Sequence, residues 1–392
     1  MGKKAFSTDR APHTYFGDVA HFDDETFRQI EKVERLPVTE RTALLPDAHP
    51  GYGMPIGGVA SLYEAIAPGF VGYDIACRMM VTILDIDPYE FLKNREQFAQ
   101  FMLASSNFGL NSHYVSREQK DHPVMDDQRW TETVILRKLK PLAREQLGTS
   151  GSGNHFFDAM IGKDVLTGQD VVAIMTHSGS RGVGYKIASH YIQLAKQETQ
   201  KTVGGISKGY EWLSMNRGPG REYFRAMSLM GAFAQANHDI IHDEFLARSG
   251  IPMLRQFENH HNFAWVEGSS VIHRKGATPA HQSQIGIIPG SSGTASFITR
   301  GLGNKESLES CSHGAGRISS RSEARRRFNA AAFARYMKEK DILGFGVAPD
   351  ESWKAYKDIE EVIRYQVKAG LLEVVMRLEP TIVVMGGGRV QK

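Results

Sequence analysis

Five side chains of the types that bind metal ions, Asp74, Cys77, His155, His177 and His261, are spread over nearly half the chain. Each sits in a short motif marked by glycine or asparagine: Gly72-Tyr-Asp-Ile-Ala-Cys77, Gly148-Thr-Ser-Gly-Ser-Gly-Asn-His155, His177-Ser-Gly-Ser-Arg-Gly182 and His260-His261-Asn262. A carboxylate, a thiolate and three imidazoles exceed the ligands of one tetrahedral ion, and a thiolate sulfur has the lone pairs to bridge two cations. The inventory describes a two-metal catalytic centre. If it is one, the fold has to gather loops that are far apart in sequence.

The chain can meet that demand. Its 392 residues, 41% of them hydrophobic, suffice for a large core. No Pro/Ser-rich linker separates Asp74 from His313, so a single domain over residues 1–392 is expected. A net charge of +3 neither announces nor excludes nucleic acid, although the basic clusters Arg321 to Arg327 and Arg137 to Lys140 can track phosphates locally. No apolar run reaches the length of a membrane span, and the opening Met-Gly-Lys-Lys-Ala-Phe is followed by polar residues, so a soluble, cytoplasmic protein is expected. Two cysteines, Cys77 and Cys311, are too few for a disulfide framework.

Apolar spacing predicts helices over 23–34, 88–102, 186–197, 222–247, 321–338 and 358–371. It predicts strands over 42–48, 59–62, 79–85, 171–176, 262–266, 271–274 and 381–385, with a glycine-rich segment over 285–297. His238 and His242, four apart on a predicted helix with acidic neighbours, are read as a solvated pair rather than ligands, because no glycine-marked loop accompanies them.

The loops carry further chemistry. Small residues in Gly148 to Asn154 leave amide N–H groups free to face an anion, and Arg181 can take a phosphate in fork geometry. Asp47 and His49, in Asp47-Ala-His-Pro-Gly-Tyr-Gly, can orient a neighbouring ligand. Of the adjacent His260 and His261, extended backbone turns only one towards the metals. His313, in Cys311-Ser-His-Gly-Ala-Gly-Arg317, can act as base or as nucleophile, and spacing alone does not choose.

Asp74-Ile-Ala-Cys77, Gly153-Asn-His155-Phe, His177-Ser-Gly-Ser-Arg-Gly182, His261-Asn262, Ile288-Pro-Gly-Ser291 and Ser312-His-Gly-Ala-Gly-Arg317 together resemble, in order and approximate spacing, the RtcB family of RNA ligases. The resemblance runs from about Asp47 to the C-terminus. It implies an α+β fold of layered sheets flanked by helices around a central metal-containing cleft. It also implies an enzyme that joins an RNA 3′-phosphate or 2′,3′-cyclic phosphate to a 5′-hydroxyl, in RNA repair or tRNA splicing, with GTP and two Mn2+ ions. By that resemblance Asp74, Cys77 and His155 hold one ion, and Cys77, His177 and His261 the other. Thiolate and imidazole ligands alone suit zinc, so manganese comes from the resemblance only. His313 resembles the nucleophile that becomes a histidine–GMP phosphoramidate. Asn154 and Asn262 are then expected at GTP phosphates, Arg181 at a substrate phosphate, and Ser296 and Tyr356 at guanine. Asp158, Ser291, Gly314, Ala315 and Gly316 complete the nucleotide contacts. An archease-like activating protein is a candidate partner, and no membrane is implied.

Three departures from the family pattern mark a divergent paralogue. Asp158 stands where the family usually has Glu, the C-terminal Lys-Gly is missing with Arg389 as its candidate substitute, and Tyr52 replaces a usual Lys. The first two bear on nucleotide choice, and the third changes a contact of the first acidic loop. Alternative readings are a ligase with altered nucleotide preference, a metal-dependent phosphoesterase that has lost nucleotidyl transfer, and a silent RNA-binding module. The intact motif around His313 weighs against the phosphoesterase and the full ligand set against the silent module.

Overall fold

Along the strand Arg78–Leu84, Met79, Val81 and Ile83 alternate with Arg78, Met80, Thr82 and Leu84, and both sets are buried. A strand covered on both faces belongs to the interior of a layered structure. The computed structural model describes residues 7, 9–203 and 205–386, and in it this strand lies near one edge of a large sheet. The main path of that sheet runs Ile285–Ile288, Ser296–Gly301, Leu372–Met385, Phe156–Asp164, Asp170–Ser178, Arg78–Leu84, Met253–His260, all neighbours antiparallel. Leu343–Phe345 adds a parallel partner to Leu372–Met385.

The sheet rolls until its two edge strands meet. Across that seam Asn259 Nδ2 donates to the Ile287 carbonyl at 3.2 Å and to Thr278 Oγ1 at 3.0 Å. The inside of the roll is filled by Met79, Val81, Ile83, Met160, Ala173, Met175, Ile298 and Met376, all fully buried or nearly so. On the outside, Phe157, Ala159, Val172 and Ile174 pack against Phe98 and Met102 of helix Arg95–Ser105 and Ile241 and Phe245 of helix Gly218–Ser249. A second, five-stranded sheet runs His13–Tyr15, Thr39–His49, Ile56–Tyr63, Ser270–Lys275, Phe263–Glu267. The chain leaves the rolled sheet at His260 and enters this one at Phe263, so His261 and Asn262 lie at the junction. This is the layered α+β arrangement. Among the described residues no helix is long and apolar enough to cross a membrane.

Most predicted elements form, with instructive shifts. Region 88–102 is two helices, Pro88–Lys93 and Arg95–Ser105, and 321–338 is also two, Arg321–Arg327 and Ala330–Glu339. The second break falls where Asn329 Oδ1 accepts the N–H groups of Ala331 and Ala332 and so caps a new helix. Helix 186–197 instead spans Arg181–Thr202, beginning inside the motif read as a loop. The strand at 381–385 is the end of Leu372–Met385, whose register shifts between Pro380 and Ile382. Helix Val134–Gln146 was not predicted, because Pro141 lies within it. An interior proline costs about 3 kcal/mol. Leu136 and Ala143 are buried and Ile135, Leu139 and Leu142 pack on the same core, and roughly 1.5–3 kcal/mol for each large side chain fully buried offsets that cost.

The His238/His242 pair corrects its expectation: both imidazoles are fully buried under the rolled sheet. They sit in a one-directional hydrogen-bond chain. Gln256 Nε2 donates to Thr82 Oγ1 (2.9 Å), which donates to His242 Nδ1 (2.7 Å). His242 Nε2–H donates to Thr176 Oγ1 (2.8 Å), Thr176 donates to His238 Nδ1 (2.5 Å), and His238 Nε2–H ends on the Ser178 carbonyl (3.3 Å). Every donor finds an acceptor only if both rings are neutral. Burial enforces this, taking His242 down to about 3 and His238 well below its ordinary value.

Replacing Thr176 with Val should therefore strand two ring nitrogens and cost about 2–4 kcal/mol, against about 1 kcal/mol or less for Thr176→Ser. Equal denaturation midpoints for the two variants would refute the chain. Folded-state pKa values depressed below 6.5 mean that only the unfolded protein takes up these protons as pH falls. Each histidine should then remove about 1.4 kcal/mol of stability per pH unit on acidification below about 6.5. A stability that stays flat between pH 6.5 and 4 would contradict this.

Candidate metal centre and nucleotide cleft

The alternation that fills the rolled sheet also delivers three of the candidate ligands. Cys77 precedes Met79, Val81 and Ile83; His177 follows Val171, Ala173 and Met175; His261 follows Phe257 and Asn259. With a side-chain period of two, all three continue the inward-facing positions at one mouth of the roll. His155 comes from the Gly148–Asn154 loop and Asp74 from the turn after the short helix Pro68–Val71. Gly179 makes room for that turn, since a Cβ there would lie 2.3 Å from Asp74 Oδ1.

The five side chains converge. Cys77 Sγ lies 3.0 Å from His177 Nε2 and 3.5 Å from His155 Nε2; Asp74 Oδ2 is 3.0 Å from His155 Nε2, and His261 Nε2 is 3.3 Å from His177 Nε2. The Ser150 and Asn154 carbonyls can only accept, so His155 and His177 donate Nδ1–H to them, at 3.1 and 2.9 Å. Both rings are thereby fixed with an Nε2 lone pair facing the sulfur. Burial takes His177 down to about 3 and His261 well below its usual range. Burial also pushes the Cys77 thiol up, with Asp74 adding to the effect. More lone pairs than protons meet here. The Cys77–His155 and His177–His261 separations match the roughly 3.3–3.7 Å expected between donors sharing one tetrahedral ion, the two 3.0 Å contacts are shorter, and among the described residues Cys77, His155 and His177 satisfy the geometry of a metal-binding group. The cluster fits a metal cation at Cys77, whose thiol a cation would deprotonate.

Two other expected contacts sit beside this cluster. Asn262, at φ 58°, accepts the Gly276 N–H on Oδ1 (2.8 Å) and donates Nδ2 to the Asp74 carbonyl (3.3 Å), so its amide is spent holding two loops together. Arg181 Nη1 lies 3.3 Å from His155 Nδ1, but that nitrogen already carries its proton for Ser150, so the guanidinium keeps donors for another partner. Among the described residues Arg181 forms no ion pair within 4 Å, and burial lowers its pKa. His260 turns away and packs against Phe263 and Trp265.

A cleft of about 280 Å³ opens next to His177. Asn154, Asp158, Ser291, Ser296, His313, Gly314, Ala315, Gly316 and Tyr356 line it, joined by His49, Arg317 and Arg321; Asn262 and Arg181 do not. The His313 ring stands 4.9 Å from that of His261. Its Nδ1–H donates to Asp47 Oδ2 at 2.7 Å and its backbone N–H to the same oxygen at 3.2 Å. Asp47 is fully buried, and Gly316 presses against it so closely that a Cβ would meet the Asp47 carbonyl at 2.1 Å. The glycines of the His313 motif thus admit the acid that leaves Nε2 of His313 free. Asp158, on the inward face beyond Met160, has an unpartnered Oδ1, and burial raises its pKa well above the carboxylate range. Tyr356 is held by Arg317 (2.8 Å) and by Glu351. The basic run does not track phosphates freely: Arg321 pairs with Asp350 and Glu351, Arg325 with Asp350 and Arg327 with Glu323. Asp350 and Glu351 carried no sequence signal, being an ordinary acidic pair in a loop. Arg389 lies outside the described residues.

The family model described as tRNA-splicing ligase RtcB matches residues 29–386. The RNA-splicing ligases RtcB1 and RtcB of two Escherichia coli strains are each 30% identical over 98% of this chain and all of their own length. The tRNA-splicing ligase RtcB of Thermococcus kodakarensis is 28% identical over 93% of this chain and 91% of its own.

If Cys77 is shared by two cations, Cys77→Ala should reduce bound metal by more than half in a titration with Mn2+ or Zn2+ followed by elemental analysis. Unchanged stoichiometry would refute the shared position of the sulfur.

Proposed function

Because the chain belongs to the RtcB family of RNA-splicing ligases, we propose that it joins an RNA 3′-phosphate or 2′,3′-cyclic phosphate to a 5′-hydroxyl, with GTP as co-substrate and two Mn2+ ions. The observation that carries this reading is His313: a neutral-ring nucleophile needs Nδ1 engaged and Nε2 free, and Asp47 supplies that arrangement beside a cleft of about 280 Å³ that Asn154, Ser291 and Arg317 help to line. In this reading the whole chain is one ligase domain acting in the cytoplasm, with an archease-like protein as its activating partner.

Asp74, Cys77 and His155 would hold one ion and Cys77, His177 and His261 the other. When bound, the ions supply positive charge that polarises phosphoryl oxygens and screens the charge developing on them. His313 Nε2 attacks the α-phosphorus of GTP; an N–P bond forms, the bond to pyrophosphate breaks, and Asp47 stabilises the cation that develops on the ring. An oxygen of the RNA 3′-phosphate then displaces His313, taking GMP. The 5′-hydroxyl attacks that activated phosphorus, loses its proton, and GMP leaves. A cyclic phosphate is first opened by water to the 3′-phosphate. Asn154, Ser291 and the Gly314 to Gly316 backbone face the nucleotide phosphates, and Asp158, Ser296 and Tyr356 the base.

The phosphoesterase reading has one favouring observation, the ligand cluster itself, which hydrolysis alone would also use. Incubation with Mn2+ and each α-labelled nucleoside triphosphate separates the two. Wild type should acquire an acid-labile, alkali-stable label and His313→Ala none, with metal content unchanged. Asp47→Asn should slow labelling by roughly 10²–10⁴-fold. Absence of label in metal-loaded protein that still opens a 2′,3′-cyclic phosphate would favour the phosphoesterase. If Asp158 reads the base, Asp158→Ala should shrink the preference between GTP and ATP at least severalfold, and an unaltered ratio would remove it from base recognition.

A further inference from the structure

Three tyrosines stand in a row beside the metal cluster, and none of them lines the nucleotide cleft. The Tyr52 and Tyr73 rings have centroids 5.6 Å apart at 53°, and Tyr73 and Tyr185 are stacked at 5.2 Å and 27°. The row is anchored at its inner end. Tyr52 and Tyr73 are partly buried against the helical core, and the Lys275 ammonium sits 5.8 Å from the centre of the Tyr52 ring while donating to the Gly69 carbonyl at 3.0 Å. At its outer end Tyr185 is 57% exposed. With Tyr73 against one face, that exposure leaves the other face open to solvent.

Position gives the row its meaning. Tyr73 immediately precedes Asp74, and Tyr185 follows Arg181 by four residues on the helix Arg181–Thr202. Arg181, at φ 57°, opens the helix, and Tyr185 stands one turn further on, about 6 Å along the axis, the span from a nucleotide's phosphate to its base. A guanidinium that gives its Nε–H to Thr149 Oγ1 at 3.2 Å and keeps Nη donors for a phosphate, and an open aromatic face, are thus set one turn apart beside the cluster. An exposed tyrosine on its own wanders among rotamers; one stacked on a fixed neighbour has already lost that freedom and binds at lower entropic cost. Unpaired bases at RNA ends stack on such rings regardless of sequence.

We propose that Tyr185, backed by Tyr73 and Tyr52, is a stacking platform for one base of the RNA strand whose end phosphate lies at Arg181. This rests on the reading of the substrate as an RNA end. It adds a base contact outside the nucleotide cleft and places one strand along the N-terminal turn of the Arg181–Thr202 helix.

Single-stranded RNA with a 3′-phosphate, carrying 2-aminopurine at its last, second-last or third-last position, tests this directly in the presence of Mn2+. Wild type and Tyr185→Phe should quench the fluorophore at one of the three positions. Tyr185→Ala should lose that quenching and bind about tenfold more weakly, while taking label from GTP at the wild-type rate. Binding and quenching by Tyr185→Ala equal to wild type would overturn the platform and leave the ligase reading standing. Loss in Tyr185→Phe equal to that in Tyr185→Ala would also overturn it, since stacking does not need the hydroxyl. Wild type that binds no RNA would overturn both readings. Wild type that quenches through Tyr185 yet takes no label from any nucleotide would keep the platform and remove the ligase.

Discussion

Cys77 Sγ and the ring nitrogens of His155, His177 and His261 approach one another to between 3.0 and 3.5 Å, where neighbouring lone pairs repel. Away from water that repulsion is poorly screened, so the scaffold has to supply the rigidity that keeps the donors in place. It does so in two ways. Cys77 and His261 flank the strands of the rolled sheet, and His177 lies within one. The His155 and His177 rings are locked from behind by the Ser150 and Asn154 carbonyls. A donor set strained in this manner favours a cation, and the thiol, hard to ionise in its buried position, is the group whose chemistry a cation would change most.

The nucleophile obeys a different constraint. His313 comes from the short ladder that pairs Ala277–Pro279 with Ser310–Ser312, and its partner Asp47 from the five-stranded sheet. Their contact forms where that ladder packs against the Thr39–His49 strand. Asn262 ties the Asp74 loop to the Gly276 backbone. Under the rolled sheet, the Thr82–His242–Thr176–His238 chain ends on the carbonyl of Ser178, the residue after His177. A polar chain with every group satisfied fixes one packing where an apolar layer tolerates several.

Legibility differed by element for physical reasons. Strands covered on both faces, such as Arg78–Leu84 and Asp170–Ser178, announce themselves as β-rich apolar runs. Met253–His260 is an edge strand with most of its residues exposed, so its polar sequence gave no such signal. The Val134–Gln146 helix hides behind Pro141, whose local cost is outweighed by packing that only the folded chain supplies. His238 and His242 looked solvated because their acidic neighbours do face outward, while the pair itself turns inward. Asp47 and His49 were recognisable as orienting groups, but nothing in their spacing named His313 as the partner of Asp47. The ion pairs that engage Arg321 and Arg325 were equally hidden, since Asp350 and Glu351 reach them from the 3-10 turn Pro349–Glu351, more than twenty residues further along the chain.

Residue types and their spacing carry the kinds of chemistry present: ligand types, glycine positions, the order of six motifs and the period-two alternation that aims Cys77, His177 and His261 inward. These are local properties, carried by covalent order and by steric rules that act over a few residues. Which groups meet is set by long-range packing. The rolling of the sheet, the closure of the second sheet on its mouth and the stacking of Tyr185 on Tyr73 all depend on burying apolar surface between segments distant in the chain. That force has no direction and no memory of sequence separation, so its outcome is read from the folded protein.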